Sequence, residues 1–119
     1  GDQLPRVFQD TPMGDVIFEI SSKRLGVTAV LNTDGELVGV VTDGDLRRAI
    51  ERYDNVLSKR ASDVMTKNPK AIKKGALAAN ALKIMEEFSI TSLFVVEKEG
   101  EKRPAGIIHI HDLLKAKIA

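Results

Sequence analysis

The stretch Gly39-Val-Val-Thr-Asp-Gly-Asp-Leu46 is answered further along the chain by Gly106-Ile-Ile-His-Ile-His-Asp-Leu113. Each copy has a glycine, two β-branched residues, a polar residue, two further positions and then Asp-Leu. An apolar run that meets a polar cluster and then a helical pattern predicts a strand feeding directly into a helix. Two such junctions in one short chain imply two related units, and a pair rather than a solenoid, because stacked solenoids need three or more units.

The junction has a chemistry of its own. A helix N-terminus presents unpaired backbone N–H groups and a partial positive charge, which suits a phosphate. Thr42 places a hydroxyl there, and Asp45 a carboxylate able to accept from sugar hydroxyls. The same two residues also suit a simple helix cap. Both readings stand at this point.

The rest of the chain repeats around these junctions. Thr11-Pro12 predicts a helix start with proline at its first position, and Met13, Val16, Ile17 and Ile20 give that helix one apolar face. Leu25-Gly26 is expected to close it. Strands are expected at Val27–Leu31 and Leu37–Thr42, joined by a tight turn at Asn32–Gly35, with a second helix from Gly44 to about Arg52. Tyr53–Ala61 reads as a linker. The pattern then recurs, with an extended Ala71-Ile72, a helical stripe from Leu77 to Phe88, strands at Ser92–Val96 and Ala105–Ile110, and a closing helix from His111 to about Lys117. Thr28 and Thr91 suggest a repeat offset of 63, and Gly39 and Gly106 one of 67. The difference of four is assigned to the hairpin turn, where insertions are tolerated.

Composition excludes several function classes. The chain has 119 residues, enough for one compact unit, with 43% hydrophobic and 29% charged residues. A formal net charge of +1 gives no field to recruit nucleic acid or an anionic membrane, and four Phe, one Tyr and no Trp offer few stacking platforms. Cysteine is absent, which excludes disulfides and thiolate metal sites and fits a cytoplasmic location. No apolar run approaches the ~20 residues of a membrane span. The first residue is Gly1 rather than Met, which points to an excised piece of something longer. No nucleophile–base pair, P-loop or dinucleotide fingerprint is present, so the chain alone is not expected to be an enzyme. His109 and His111, with Asp112, could share a strand face and hold a metal, but the strand ends there and no fourth ligand is evident. Asp43-Gly44-Asp45 lacks the rest of a calcium loop. No metal or resident cofactor is expected.

The two Gly-to-Asp-Leu motifs, the two helix-strand-strand-helix units and Asp63-Val-Met-Thr66 together resemble a tandem pair of cystathionine-β-synthase (CBS) domains. The resemblance covers about Leu4 to Ala116. It implies an α/β fold of two pseudo-twofold-related units packed sheet against sheet, with domains at 4–60 and 61–119. Gly1-Asp-Gln-Leu-Pro5, Thr42-Asp-Gly-Asp-Leu-Arg-Arg48, Ile90-Thr-Ser92 and His109-Ile-His-Asp-Leu-Leu114 narrow it to the C-terminal pair of D-arabinose-5-phosphate isomerases. In that family an N-terminal sugar-isomerase domain performs catalysis and feeds octulosonate and lipopolysaccharide synthesis. This chain would then be the regulatory part, without the enzyme.

The resemblance also implies two ligand clefts. One would use Thr42 for phosphate and Asp45 for ribose, with Lys70, Ala71, Ile90, Thr91 and Ser92. The other would use His109 and Asp112 with Val7, Gln9, Val27 and Thr28. His109 replaces the usual Thr or Ser, so the second cleft is expected to bind a different ligand or none. Arg47 and Arg48 oppose the helix dipole, so either an anion lies near one of them or both point to solvent. The implied effector is an adenine nucleotide or a cytidylate-activated octulosonate. The implied partners are the isomerase domain and a second copy in a homodimer, with no nucleic acid or membrane. The competing reading is a structural oligomerisation module, with the Leu77–Phe88 and Leu46–Ile50 stripes as its contact.

Overall fold

A computed structural model describes residues 4–23 and 26–118. They form seven strands and five helices in the order β1 (Arg6–Phe8), α1 (Met13–Lys23), β2 (Val27–Leu31), β3 (Leu37–Thr42), α2 (Asp43–Arg52), α3 (Ala61–Val64), β4 (Thr66–Lys67), β5 (Ala71–Lys73), α4 (Ala78–Phe88), β6 (Ser92–Val96), β7 (Gly106–His109) and α5 (Ile110–Ile118). The chain divides into two compact units, Asp2–Pro69 and Lys70–Ala119.

The N-terminal unit is built on a four-stranded sheet in the order β1-β2-β3-β4. Strand β1 joins β2 in parallel, and β2–β3 and β3–β4 are antiparallel. The β2–β3 turn forms because Asn32 Oδ1 accepts from the N–H groups of Asp34 and Glu36, both at 2.9 Å, while Gly35 takes a positive φ of 79°. Met13, Val16 and Ile20 recur on one face of α1 and meet Val7, Val30, Val41 and Ala61 in the core. The stretch expected to be a linker is tied down here. Arg60 bridges Pro12, Met13 N–H donates to the Lys59 carbonyl, and Ala61 N–H donates to that of Thr11.

The C-terminal unit carries the sheet β5-β6-β7, with β5–β6 parallel and β6–β7 antiparallel. Its core is Ala81 and Met85 of α4, Leu93 of β6 and Leu113 of α5. Ser89 ends α4 in the left-handed region with φ 54°.

Two local expectations change, and a third is described only in part. Thr11 does not cap α1; its hydroxyl accepts from Phe8 N–H at 2.9 Å, and the Pro12 carbonyl receives the first helical bonds. Leu25 lies outside the described residues, while Gly26 does take a positive φ of 69°. The repeat offset is also different. Arg6 pairs with Ala29 and Ala71 with Phe94, and Val27 pairs with Thr42 and Ser92 with His109. Equivalent positions are thus 65 apart from β1 through β2 (Arg6 to Ala71, Val27 to Ser92) and 67 apart at Thr42 and His109. The hairpin differs by two residues rather than four, and the equivalent of Thr28 is Leu93, not Thr91.

Candidate functional site

Strand β3 runs into α2 at Thr42, which has an extended φ of −112° and ψ of 170°. Its hydroxyl accepts from Asp45 N–H at 3.2 Å, and its own N–H donates to Asp45 Oδ2 at 2.9 Å. This is a reciprocal capping box, with Asp in the position more often held by Glu or Gln. The cap therefore forms, and it places a carboxylate at the positive end of a helix.

Asp45 does more than cap. It is 6% exposed, and its carboxylate accepts four hydrogen bonds. Oδ2 takes the Thr42 N–H and, at 3.1 Å, the Thr42 hydroxyl. Oδ1 takes Arg48 Nη2 at 2.7 Å and the Thr66 hydroxyl at 2.8 Å. A carboxylate has about four acceptor positions, so Asp45 is saturated by protein donors. The anion that accounts for Arg48 is thus inside the chain. Arg47 is exposed, and no hydrogen bond or ion pair among the described residues engages it.

A groove of about 420 Å³ begins at Asp45 and Arg48 and runs past Arg52 and Tyr53 to Asp63 and Val64. Two cations flank the Tyr53 ring, Arg52 at 5.3 Å and Lys59 Nζ at 4.6 Å from its centroid. Sequence reasoning missed Thr66 as part of this site. Arg48 stands three residues from Asp45 on one helix, a spacing that could have identified it. Thr66 lies 21 residues away, and no local pattern signals it.

The second junction is built differently. Strand β7 ends at His109, whose Nδ1 accepts from His111 N–H at 3.2 Å, a single cap bond in place of a box. The two rings stack with centroids 4.7 Å apart and planes at 25°. Asp112 is exposed, and its carboxylate has no hydrogen bond or ion pair among the described residues. No group of three or more His, Asp or Glu is placed to hold a metal among the described residues.

The other expected residues are distributed as follows. Val27 is the cross-strand partner of Thr42, and Ser92 that of His109. Thr28 is wholly buried and its hydroxyl donates to the Ala29 carbonyl, so its side chain lines no open surface. Ala71 is exposed at the start of β5, beside Lys70, whose ammonium sits 4.3 Å from the Phe88 ring centroid. Ile90 N–H donates to the Met85 carbonyl, and the Thr91 carbonyl accepts from Ile110 N–H. Ala71 also borders a second groove, of about 610 Å³, which reaches Lys83 and Glu101. The Arg103 N–H, foremost, holds the Glu101 carboxyl below the usual glutamate range, with Lys102 N–H also donating to it.

Among the described residues no helix is long and apolar enough to cross a membrane. The chain is 42% identical over 118 residues to the arabinose 5-phosphate isomerase of Pseudomonas aeruginosa, covering 99% of this chain and 36% of that protein. It thus spans about a third of the length of the curated relatives it matches. A CBS-domain containing protein from Agrobacterium tumefaciens shares the fold with a TM-score of 0.84 and 27% identity, over 96% of this chain and 84% of the other. A CBS domain protein from Pyrobaculum aerophilum, solved as a complex with AMP, shares it with a TM-score of 0.80 and 24% identity, over 98% and 92%. The CBS domain model matches residues 2–52 and 61–119, both halves of the chain, and the protein therefore belongs to the CBS domain family.

Proposed function

We propose that this chain is a regulatory CBS pair, with domains at 4–60 and 61–119, that senses a nucleotide or nucleotide-sugar. In this reading it regulates a sugar-phosphate isomerase of the arabinose-5-phosphate type, in the cytoplasm and as a homodimer. Catalysis lies in an N-terminal isomerase domain outside this sequence. The observation that carries the reading is the buried Asp45 carboxylate beside the Thr42 hydroxyl at the N-terminus of α2. The AMP complex of the Pyrobaculum protein supports an adenine nucleotide as ligand. A cytidylate-activated octulosonate is the alternative, because end products commonly regulate early steps.

The proposed contacts are Thr42, Asp45, Arg47, Val27 and Thr28 in the N-terminal unit. In the C-terminal unit they are Lys70, Ala71, Ile90, Thr91, Ser92, His109 and Asp112. Val27 and Thr28 would contribute backbone rather than side chain, since both are buried. Ligand bias on the isomerase requires different affinity for two arrangements of the protein.

A thermal-shift and calorimetric titration with AMP, ATP and the activated octulosonate tests this. A ligand at 100 times its dissociation constant should stabilise the fold by about 2.7 kcal/mol. Loss of the shift in Asp45→Ala, or in Asp112→Ala, names the working site. A well-folded chain that responds to none of them would favour the oligomerisation reading instead, which Phe18 at 71% and Leu77 at 69% exposure support.

A further inference from the structure

The Asp45 carboxylate has no acceptor position to spare, so a ribose diol can be accepted only if a protein donor leaves. The Thr42 N–H bond to Oδ2 belongs to the capping box, and the Thr42 hydroxyl meets the same oxygen while accepting from Asp45 N–H, so freeing Oδ2 would open the first turn of α2. The Oδ1 pair is different. The Arg48 side chain is 70% exposed and Thr66 is exposed, so water can take over both donors at little cost. Arg48 reaches Asp45 by folding back over Gly44, where a built Cβ would meet its Nη1 at 3.4 Å. Thr66 sits on β4, a two-residue edge strand held to β3 by the pairs Gly39–Lys67 and Val40–Thr66.

We propose that Arg48 and Thr66 are internal competitors for Asp45, and that a nucleotide ribose gains the carboxylate by displacing them. The inference rests on the nucleotide reading above and adds its regulation. The freed guanidinium, carried on the second turn of α2 and long enough to reach back to its first turn, becomes available to the phosphate of the same ligand. The freed Thr66 loosens β4, and β4 leads directly into Asn68, held at a positive φ of 57°, and Pro69, where the N-terminal unit ends. Occupancy is thereby passed to the chain segment that joins the two units.

The test compares the full chain with Thr66→Val and Thr66→Ser, using calorimetric titration with AMP and with 2′,3′-dideoxy-AMP. Competition predicts that Thr66→Val binds AMP about three- to tenfold more tightly than the parent, and that Thr66→Ser returns to the parent value. The dideoxy probe, lacking the diol, should not distinguish the three proteins. Equal or weaker AMP binding by Thr66→Val would show that Thr66 supports the site instead, and overturns the proposal. Equal tightening for both probes also overturns it. Failure of AMP to bind any of the proteins rejects the adenine-nucleotide reading on which this proposal rests, a result distinct from binding in the wrong order. Should Thr66→Val not fold, Arg48→Met with adenosine makes the same comparison, since adenosine has no phosphate to use the arginine. Tighter adenosine binding is then expected, and unchanged or weaker binding overturns the proposal.

Discussion

Met65 lies directly over Gly39, its Cγ 2.9 Å and its Cβ 3.1 Å from where a side chain on that glycine would begin. Neither motif glycine, Gly39 nor Gly106, takes a positive φ, so the motif does not need glycine for backbone freedom at these positions. At Gly39 the need is room. Gly39→Ala should therefore destabilise by about 1–3 kcal/mol through overpacking, and Gly106→Ala, where a Cβ meets nothing within 4 Å, should be close to neutral. Urea unfolding of the two variants checks this. Adding Met65→Ala to Gly39→Ala should recover part of the loss, because the two nearest atoms, Sδ and Cγ, are removed and only Cβ remains.

Asp45 and Asp112 occupy the same position in the two motif copies but differ in what they touch. One accepts four hydrogen bonds from protein donors, and the other is exposed without a partner among the described residues. Asp45→Ala should cost about 1–2 kcal/mol through loss of the cap, whereas Asp112→Ala should stay within about 0.5 kcal/mol of the parent. Thermal melts of the ligand-free proteins measure the difference. A loss at Asp45 no larger than about 0.5 kcal/mol would mean that its cap bonds contribute nothing to stability.

The elements that the sequence makes legible are those whose signals are local. Val27–Leu31, Leu37–Thr42 and Ser92–Val96 are apolar, β-branched runs bounded by turn residues, and they fold as strands at those limits. Strands β1 and β4 have three and two residues and exist only through pairing with β2 and β3, which no window on the chain can reveal. The repeat offset fails for a related reason. Thr28 and Thr91 match by identity, but sheet register aligns Val27 with Ser92, and register depends on partners rather than on residue names. At the site, Thr42 and Asp45 are legible because a cap spans three residues. The closure of Asp45 by Thr66 is a tertiary contact, made where β4 pairs with β3 and Thr66 lies opposite Val40.

Glu101 gives a pH dependence with a defined sign. Backbone N–H bonds from Arg103 and Lys102 lower its folded-state pKa below the unfolded value. Its contribution to stability is thus present above the unfolded pKa and lost as pH falls through the folded one. Melting midpoints of the parent and Glu101→Gln, followed from about pH 6 to about pH 3, should converge toward the acid end. A gap that widens on acidification would contradict the assignment.

The bond between Asp45 and Thr66 can be measured without any ligand, through a double-mutant cycle on unfolding. Thr66→Val removes the hydroxyl while keeping a β-branched side chain suited to an edge strand. Asp45→Ala removes both acceptor oxygens, so that no bond to Thr66 survives in that variant. If the 2.8 Å contact persists in solution, the two losses will fall short of additivity by about 1 kcal/mol. Thr66→Val combined with Asn32→Ala, which acts on the β2–β3 turn and shares no partner with Thr66, should be additive within about 0.5 kcal/mol. Additivity in both cycles would mean that Thr66 holds Asp45 too weakly to compete with a ligand, since a donor that adds nothing to the folded state has nothing to withhold from a ribose.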